Sequence, residues 1–459
     1  MVNRNVRESA QAMAEKPASI PARRLMPRLA QGPLQALELA AGEASCRPVR
    51  LNFGPVRPYL ITHPEHIQHV LRDQAGNYPR GRMMWKPLER LTADVAGEGP
   101  SWVLGRQLFQ PLLSARSISA LSTLLTDAIV QSIDDLAARA RQKPRVDAGA
   151  EMTRIVQRVV IKIFFGNRIP QGTGDRLARA VDTAFRSMRI RMMLPFVPGV
   201  VPMPGDQSLR RSIQTVDDVM FSVIHQARSE PPGQDGDFVS QLLLHQSENG
   251  APLTDRQIRD FLVSLFVGGV ETSAVALTWL WVVLDTYPEV AVQLEEEIHN
   301  VVGNEQPGLG HLKHLTYTKM VVQELLRLYP VGWLIPRTVL ADDVIDGVLI
   351  KARSTILVSP YLTQRLPEIW SSPDVFNPRR FAPENVVGRH PRSYIPFGAG
   401  PHTCLGSYLF IAEAQLIIAA LLRRFRPVLL GDASRIEPTV SLTLRPRQQV
   451  ALALHPGKR

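Results

Sequence analysis

The chain has 459 residues, 45% of them hydrophobic, with 30 glycines and 37 prolines scattered through it. That length and apolar content support one large domain, or two lobes sharing a core, and exclude a disordered or low-complexity protein. The formal net charge of +11 is compatible with an anionic membrane, an acidic protein partner or simply a soluble basic surface. Nucleic acid is the weakest of these readings, because the basic residues are dispersed and accompany no recognised binding motif. Two cysteines far apart in sequence, Cys46 and Cys404, make no disulfide framework and point to a reducing, cytoplasmic compartment.

Residues 1–44 form a basic arm carrying Arg4, Arg7, Lys16, Arg23, Arg24 and Arg28. It lacks the apolar core and small-residue cleavage site of a signal peptide and gives no membrane anchor; partial disorder is expected of it. A single domain is expected over 45–459. VRLNFGPVRPYLIT alternates as a hairpin does, and a helix follows from Pro64 to Asp73. From Ser114 to Leu326 apolar residues recur at helical spacing.

Within that region Phe261 to Leu284 is long enough to span a bilayer and carries one charge, Glu271. Thr254 as a cap and Tyr287-Pro288 as a stop favour a buried core helix over a membrane span. Beyond Pro330 the pattern turns to short β pieces, then to an irregular segment from Gln364 to Pro396. A last helix starts just after Cys404, and the β-like SLTLRP and VALALHP follow. The fold class is mainly α with a small β portion, and no internal repeat is evident.

The stretch FGAGPHTCLG, Phe397 to Gly406, puts Cys404 between a glycine-rich loop and a helix N-terminus, where free N–H groups and the dipole favour a thiolate. With no second cysteine or His/Asp cluster nearby, zinc is disfavoured, whereas haem iron needs one axial protein ligand. A buried structural cysteine is the competing reading.

The same ten residues resemble the haem-binding loop of the cytochrome P450 family at Phe397, Gly400, Cys404 and Gly406. Glu324 and Arg327 in QELLRLYP resemble that family's ExxR pair, and WSSPDVFNPRRF offers Arg379 or, matching better, Arg380 as its third member. GGVETS, Gly268 to Ser273, is similar to its AGxET motif, and Trp102 and Arg106 in SWVLGRQLF to its WxxxR. The resemblance covers roughly 45–455.

It implies the family's triangular, mostly helical fold, with haem b between the long central helix and the helix after the cysteine loop. Cys404 is then the metal-ligating thiolate, and Phe397, Gly398 and Gly268 lie along the cofactor. Trp102, Arg106, Arg337 and His402 hold the haem carboxylates, and Glu271 with Thr272 forms a catalytic acid-alcohol relay for dioxygen. Two departures touch carboxylate binding: Gly105 stands where many relatives carry histidine, and Gln364 replaces the histidine of a common HR pair.

The implied activity inserts one atom of O2 into a hydrophobic small molecule, with a terpenoid of specialised metabolism leading fatty acids, polyketides and steroids. Electrons from NAD(P)H are expected through a separate ferredoxin and ferredoxin reductase, to a monomer. A peroxide-driven peroxygenase and a non-catalytic haem protein are the rival readings. Met192, Met193, Leu194, Phe196, Trp333 and Leu334 are expected to line the substrate pocket.

Overall fold

The expected hairpin forms: Val49–Leu51 runs antiparallel to Tyr59–Ile61, with Val49 opposite Leu60. The computed structural model describes residues 15–44, 46–54, 56–193, 197–198, 200–230, 237–245 and 252–457, apart from the side chains of 82–85, 94, 96, 189, 192 and 193. Contacts divide the chain into two compact units made of interleaved segments. One comprises Met1–Gly81, Gln323–Cys404 and Glu437–Arg447, the other Arg82–Val322, Leu405–Ile436 and Gln448–Arg459.

The first unit is organised by a mixed sheet, ordered Ala18–Ile20, Val49–Leu51, Tyr59–Ile61, Thr355–Val358 and Ile335–Thr338. Its β-branched residues Ile61, Ile356 and Val358 pack with Ile67, Val70, Leu71, Tyr78, Ile395 and Ala399 in one apolar cluster. That cluster therefore reaches the segment leading into Cys404.

From Ala18 the basic arm, read as partly disordered, is folded into this unit. Ala18–Ile20 pairs parallel with Val49–Leu51. The helix Ala22–Gln31 buries Leu25 while leaving Arg23, Arg24 and Arg28 exposed. Arg23, Arg24 and Arg28 form the solvent face of an amphipathic helix. The helix expected over Pro64 to Asp73 is α-wound only across Pro64–Gln68; His69–Asp73 is a π-turn.

The second unit is the expected helical middle, interrupted by the short strand Arg145–Asp147. That strand pairs with Ala451–Pro456, which also pairs with Phe425–Leu429. Its axis is the 32-residue helix Asp255–Thr286. Thr254 Oγ1 accepts from the Gln257 N–H at 3.3 Å, and the Thr254 N–H donates to Gln257 Oε1 at 3.0 Å, a reciprocal capping box.

Pro288, unable to continue the ladder, opens the next helix. The long helix packs on Ala148–Phe165, on Asp206–Ser229 and on the terminal helix Ser407–Arg424. It is long and apolar enough to cross a bilayer, yet is mostly buried by protein from Ile258 to Val283.

Candidate active site

Glu324 and Arg327 lie one turn apart on the helix Thr316–Leu328, and both side chains are fully buried. Arg327 donates to both carboxylate oxygens, Nε to Oε2 at 2.7 Å and Nη2 to Oε1 at 2.8 Å. Arg380 Nε approaches Glu324 Oε1 at 3.3 Å, while Arg379 is exposed. Of the two arginines offered by the sequence, Arg380 is the third member.

One carboxylate thus faces two guanidinium groups, and the surplus charge is met by carbonyl oxygens. Arg327 Nη1 donates to Gln364 O at 2.8 Å and Pro373 O at 2.6 Å. Its guanidinium also lies 5.1 Å from the Trp370 ring centroid. Burial without such partners would be prohibitive.

Gln364 has a role of its own here. Its Nε2 donates to Leu326 O and Arg327 O at 3.0 and 2.9 Å, and its Oε1 accepts from the Ile395 N–H at 2.9 Å. One buried amide therefore joins the end of the Glu324 helix to the start of the cysteine loop. Neutral glutamine supplies both donors and acceptor at once, which a histidine ring could do only in part.

From Ile395 the loop turns tightly. Gly398 and Gly400 have φ of +71° and +69°, a left-handed conformation that a Cβ penalises. Thr403 N–H donates back to Gly400 O at 3.0 Å and Cys404 N–H to Phe397 O at 2.9 Å. These bonds fix the backbone at Cys404, whose side chain stays exposed. The buried structural cysteine is therefore not what the fold contains.

His402 and Phe397 are half-buried in the same loop, and Arg337, buried on the neighbouring strand Ile335–Thr338, also belongs to the first unit. Arg337 Nη1 donates to Pro336 O at 2.8 Å.

In the second unit the long helix treats its two glycines differently. A Cβ on Gly269 would lie 3.5 Å from Val160 Cγ2 on the crossing helix, whereas one on Gly268 would meet no heavy atom within 4 Å. Gly269 is the packing glycine and Gly268 the open one. Thr272 shares the open face, and its Oγ1 donates to Gly268 O at 2.6 Å, so the hydroxyl presents its lone pairs as an acceptor. Glu271 is half-buried.

Trp102 and Arg106 are half-buried on the helix Pro100–Leu112. Between them Gly105 is tight: a Cβ there would come 3.2 Å from Phe261 Cε1. Phe261 in turn meets Phe109 edge-on, with ring centroids 5.6 Å apart. A side chain at 105 would press on this pair, so Phe261 would have to give way to a histidine there.

Among the expected lining residues, Leu194 and Phe196 and the side chains of Met192 and Met193 lie outside the described residues. Trp333 is buried and its Nε1 donates to Ser441 O at 3.2 Å; Leu334 is half-buried.

Sequence reasoning missed Arg259 on the first turns of the long helix. Fully buried, it donates to Leu91 O at 2.7 Å and to Asp217 at 2.6 Å. Nothing in RQIRDFLVSLF distinguishes it from a solvated arginine, because its partners are remote in sequence. Glu413, on the terminal helix, was also missed. Burial alone pushes its carboxyl up to about 8, and Oε1 has no hydrogen-bond partner.

In the first unit the residues suit an anionic, thiolate-ligated group: an exposed thiol at the end of a tight glycine loop and a buried cation on an adjoining strand. The chain belongs to the cytochrome P450 family, whose model matches residues 47–452. It is a haem-thiolate monooxygenase, an oxidoreductase using O2.

The chain is 29% identical to cyclooctatin synthase of Streptomyces melanosporofaciens, over 93% of this chain and 91% of that one. It is 27% identical to pentalenene oxygenase of Streptomyces avermitilis, over 87% and 88%. In structure it is similar to the crystal structure of the cytochrome P450DA heme domain, with a TM-score of 0.86 and 21% identity, covering 97% of this chain and 98% of that one.

Proposed function

We propose that this protein hydroxylates a terpenoid, with Cys404 as the axial thiolate of haem b. The observation that carries the haem assignment is the loop from Ile395 to Cys404, whose backbone is fixed by Gln364, Phe397 and Gly400 while the thiol is left exposed. Bound haem supplies activation of dioxygen, which thiolate donation favours.

The protein's own residues do the rest. Arg337, Arg106, Trp102 and His402 would hold the haem carboxylates, and Phe397, Gly398 and Gly268 would leave room for the ring. Thr272, its proton committed to Gly268 O, would accept a hydrogen bond from a water and orient it. Glu271, half-buried beside it, would pass protons to the water that Thr272 orients, so the pair would serve as an acid-alcohol relay.

Terpene-oxidising bacterial relatives at about 27–29% identity support the substrate class. Electrons from NAD(P)H reach the protein through a separate ferredoxin and its reductase in the cytoplasm, and the net charge of +11 suits an acidic carrier.

The ferrous carbon monoxide difference spectrum tests the ligand. Wild type is expected to give the strongly red-shifted Soret band of a thiolate haem, and Cys404→Ala to lose it; retention in that variant overturns the assignment. Titration with cyclic terpene hydrocarbons and with fatty acids, followed by the ferric Soret shift, tests substrate class. Tighter binding of fatty acids would displace the terpenoid reading.

A further inference from the structure

The π-turn at His69–Asp73 serves no purpose in the chemistry above. Such turns are rare and concentrate at functional places, because they break the regular ladder. Here Gln74 N–H reaches back to His69 O at 2.8 Å. The widened turn carries the Leu71 carbonyl against the cysteine loop. A Cβ on Gly400 would fall 1.7 Å from Leu71 O and 3.2 Å from Arg72 Cα. Backbone therefore sits directly on backbone, with no side chain between to absorb a shift.

Gly400 in turn accepts from both the N–H and the hydroxyl of Thr403, at 3.0 and 2.8 Å. Displacement of Leu71 is thus passed through two hydrogen bonds to the residue before Cys404.

The π-turn is pinned at its first residue. His69 Nε2 lies 2.8 Å from Asp343 Oδ2, and the same oxygen accepts from the Tyr78 hydroxyl at 2.7 Å. Oδ1 accepts from the Val344 N–H at 2.8 Å. Asp343 begins the strand Asp343–Ile345, paired with Val348–Ile350, so the clasp ties the turn to a hairpin. Tyr78 is buried in the apolar cluster that also holds Leu71, Ile395 and Ala399. Burial works to raise the Asp343 carboxyl, but the His69, Tyr78 and Val344 hydrogen bonds hold it below its ordinary value, in keeping with an anionic hub.

We propose that Asp343 and His69 are positioning residues for Cys404: the Asp343–His69–Tyr78 clasp holds the π-turn under Gly400 and thereby keeps the thiolate on haem iron. The proposal rests on the assignment of Cys404 as axial ligand.

The test compares holoprotein of the wild type, Asp343→Asn, His69→Ala, Tyr78→Phe and His69→Gln, with Asp346→Asn as a control on the exposed turn of the same hairpin. Three quantities are read: the lifetime of the red-shifted ferrous carbon monoxide band in mild urea, amide hydrogen exchange at Thr403 and Cys404, and the global unfolding midpoint. Asp343→Asn and His69→Ala are expected to shorten the band lifetime about tenfold and to speed exchange at Cys404 similarly, ahead of global unfolding. His69→Gln, which keeps a donor, is expected to recover most of the lifetime, and Asp346→Asn to match wild type.

An unchanged band lifetime and unchanged exchange in folded, haem-loaded Asp343→Asn would overturn the proposal, as would losses that merely follow the global midpoint. Should Asp343→Asn fail to fold, Tyr78→Phe, which removes one hydrogen bond without changing volume, decides by the same readings. Absence of the band from wild type would instead overturn the Cys404 assignment, while the exchange measurement still reports on the clasp.

Discussion

Between Glu324 and Cys404 the chain is held by ions and amides: a bidentate Glu324–Arg327 pair, the Gln364 bridge to Ile395 and backbone bonds closing on Phe397 and Gly400. Around Gly268 the long helix buries apolar neighbours such as Val267 and Val270, with the Thr272 hydroxyl turned back on its own helix. Directional bonds fix one atom in one place, whereas apolar contact excludes water without dictating orientation. The first arrangement suits a ligand whose position must not vary; the second suits a site for small hydrophobic molecules.

Removing an ion partner from the first region is expected to have the largest effect. Glu324→Gln leaves Arg327 buried without its carboxylate and should cost about 3–5 kcal/mol, the range for breaking a buried pair. Haem content and the urea midpoint of the purified protein check this; a loss below about 1 kcal/mol would show the network to be dispensable.

Glu413 offers a test through pH. Its carboxyl, raised to about 8 in the fold, stays protonated where the unfolded chain has already ionised, so wild-type stability falls as pH rises from about 4.5 towards 8. Relative to Glu413→Gln, the wild type should lose on the order of 1.4 kcal/mol per pH unit across that window, and the two should converge below it. Urea midpoints at pH 5, 6 and 7 measure the slope, and parallel lines would mean that Glu413 has a partner.

The two glycines of the long helix sharpen the apolar side of the comparison. Gly269→Val meets Val160 and should destabilise by about 1–3 kcal/mol, as overpacking does. Gly268→Val should leave the urea midpoint within about 1 kcal/mol, its own helix propensity included, while weakening ferric ligand binding. Equal effects on stability would erase the distinction between them.

The smallest expected change in stability is at Thr272. Thr272→Ala should keep haem and fold but divert reducing equivalents to peroxide, with coupling to product falling about tenfold, equivalent to about 1.4 kcal/mol. The ratio of product to reductant consumed checks it.

The helical middle, the hairpin and the capping of the long helix at Thr254 were legible because each rests on local spacing or on one cap residue. The pairing of Glu324 with Arg327 was legible as spacing, but its burial only through the family resemblance, since the same i, i+3 pattern decorates solvent faces. Arg23, Arg24 and Arg28 were legible as a basic arm, but the helix they decorate was not, because one buried residue, Leu25, anchors it. Arg259 and Glu413 gave no signal, and Gln364 showed only as a departure from a pattern, because burial and remote partners leave no mark on neighbouring residues.

By itself the sequence determined the cysteine at a glycine loop, the ExxR spacing and the Gly268–Thr272 motif, all features of a few consecutive residues. Only the tertiary structure assigned Gly269 to packing and left Gly268 open, and wound His69–Asp73 into a π-turn against Gly400. The physical reason is range. A motif is written in covalent neighbours, but the contacts that decide what each residue does come from segments tens or hundreds of residues away.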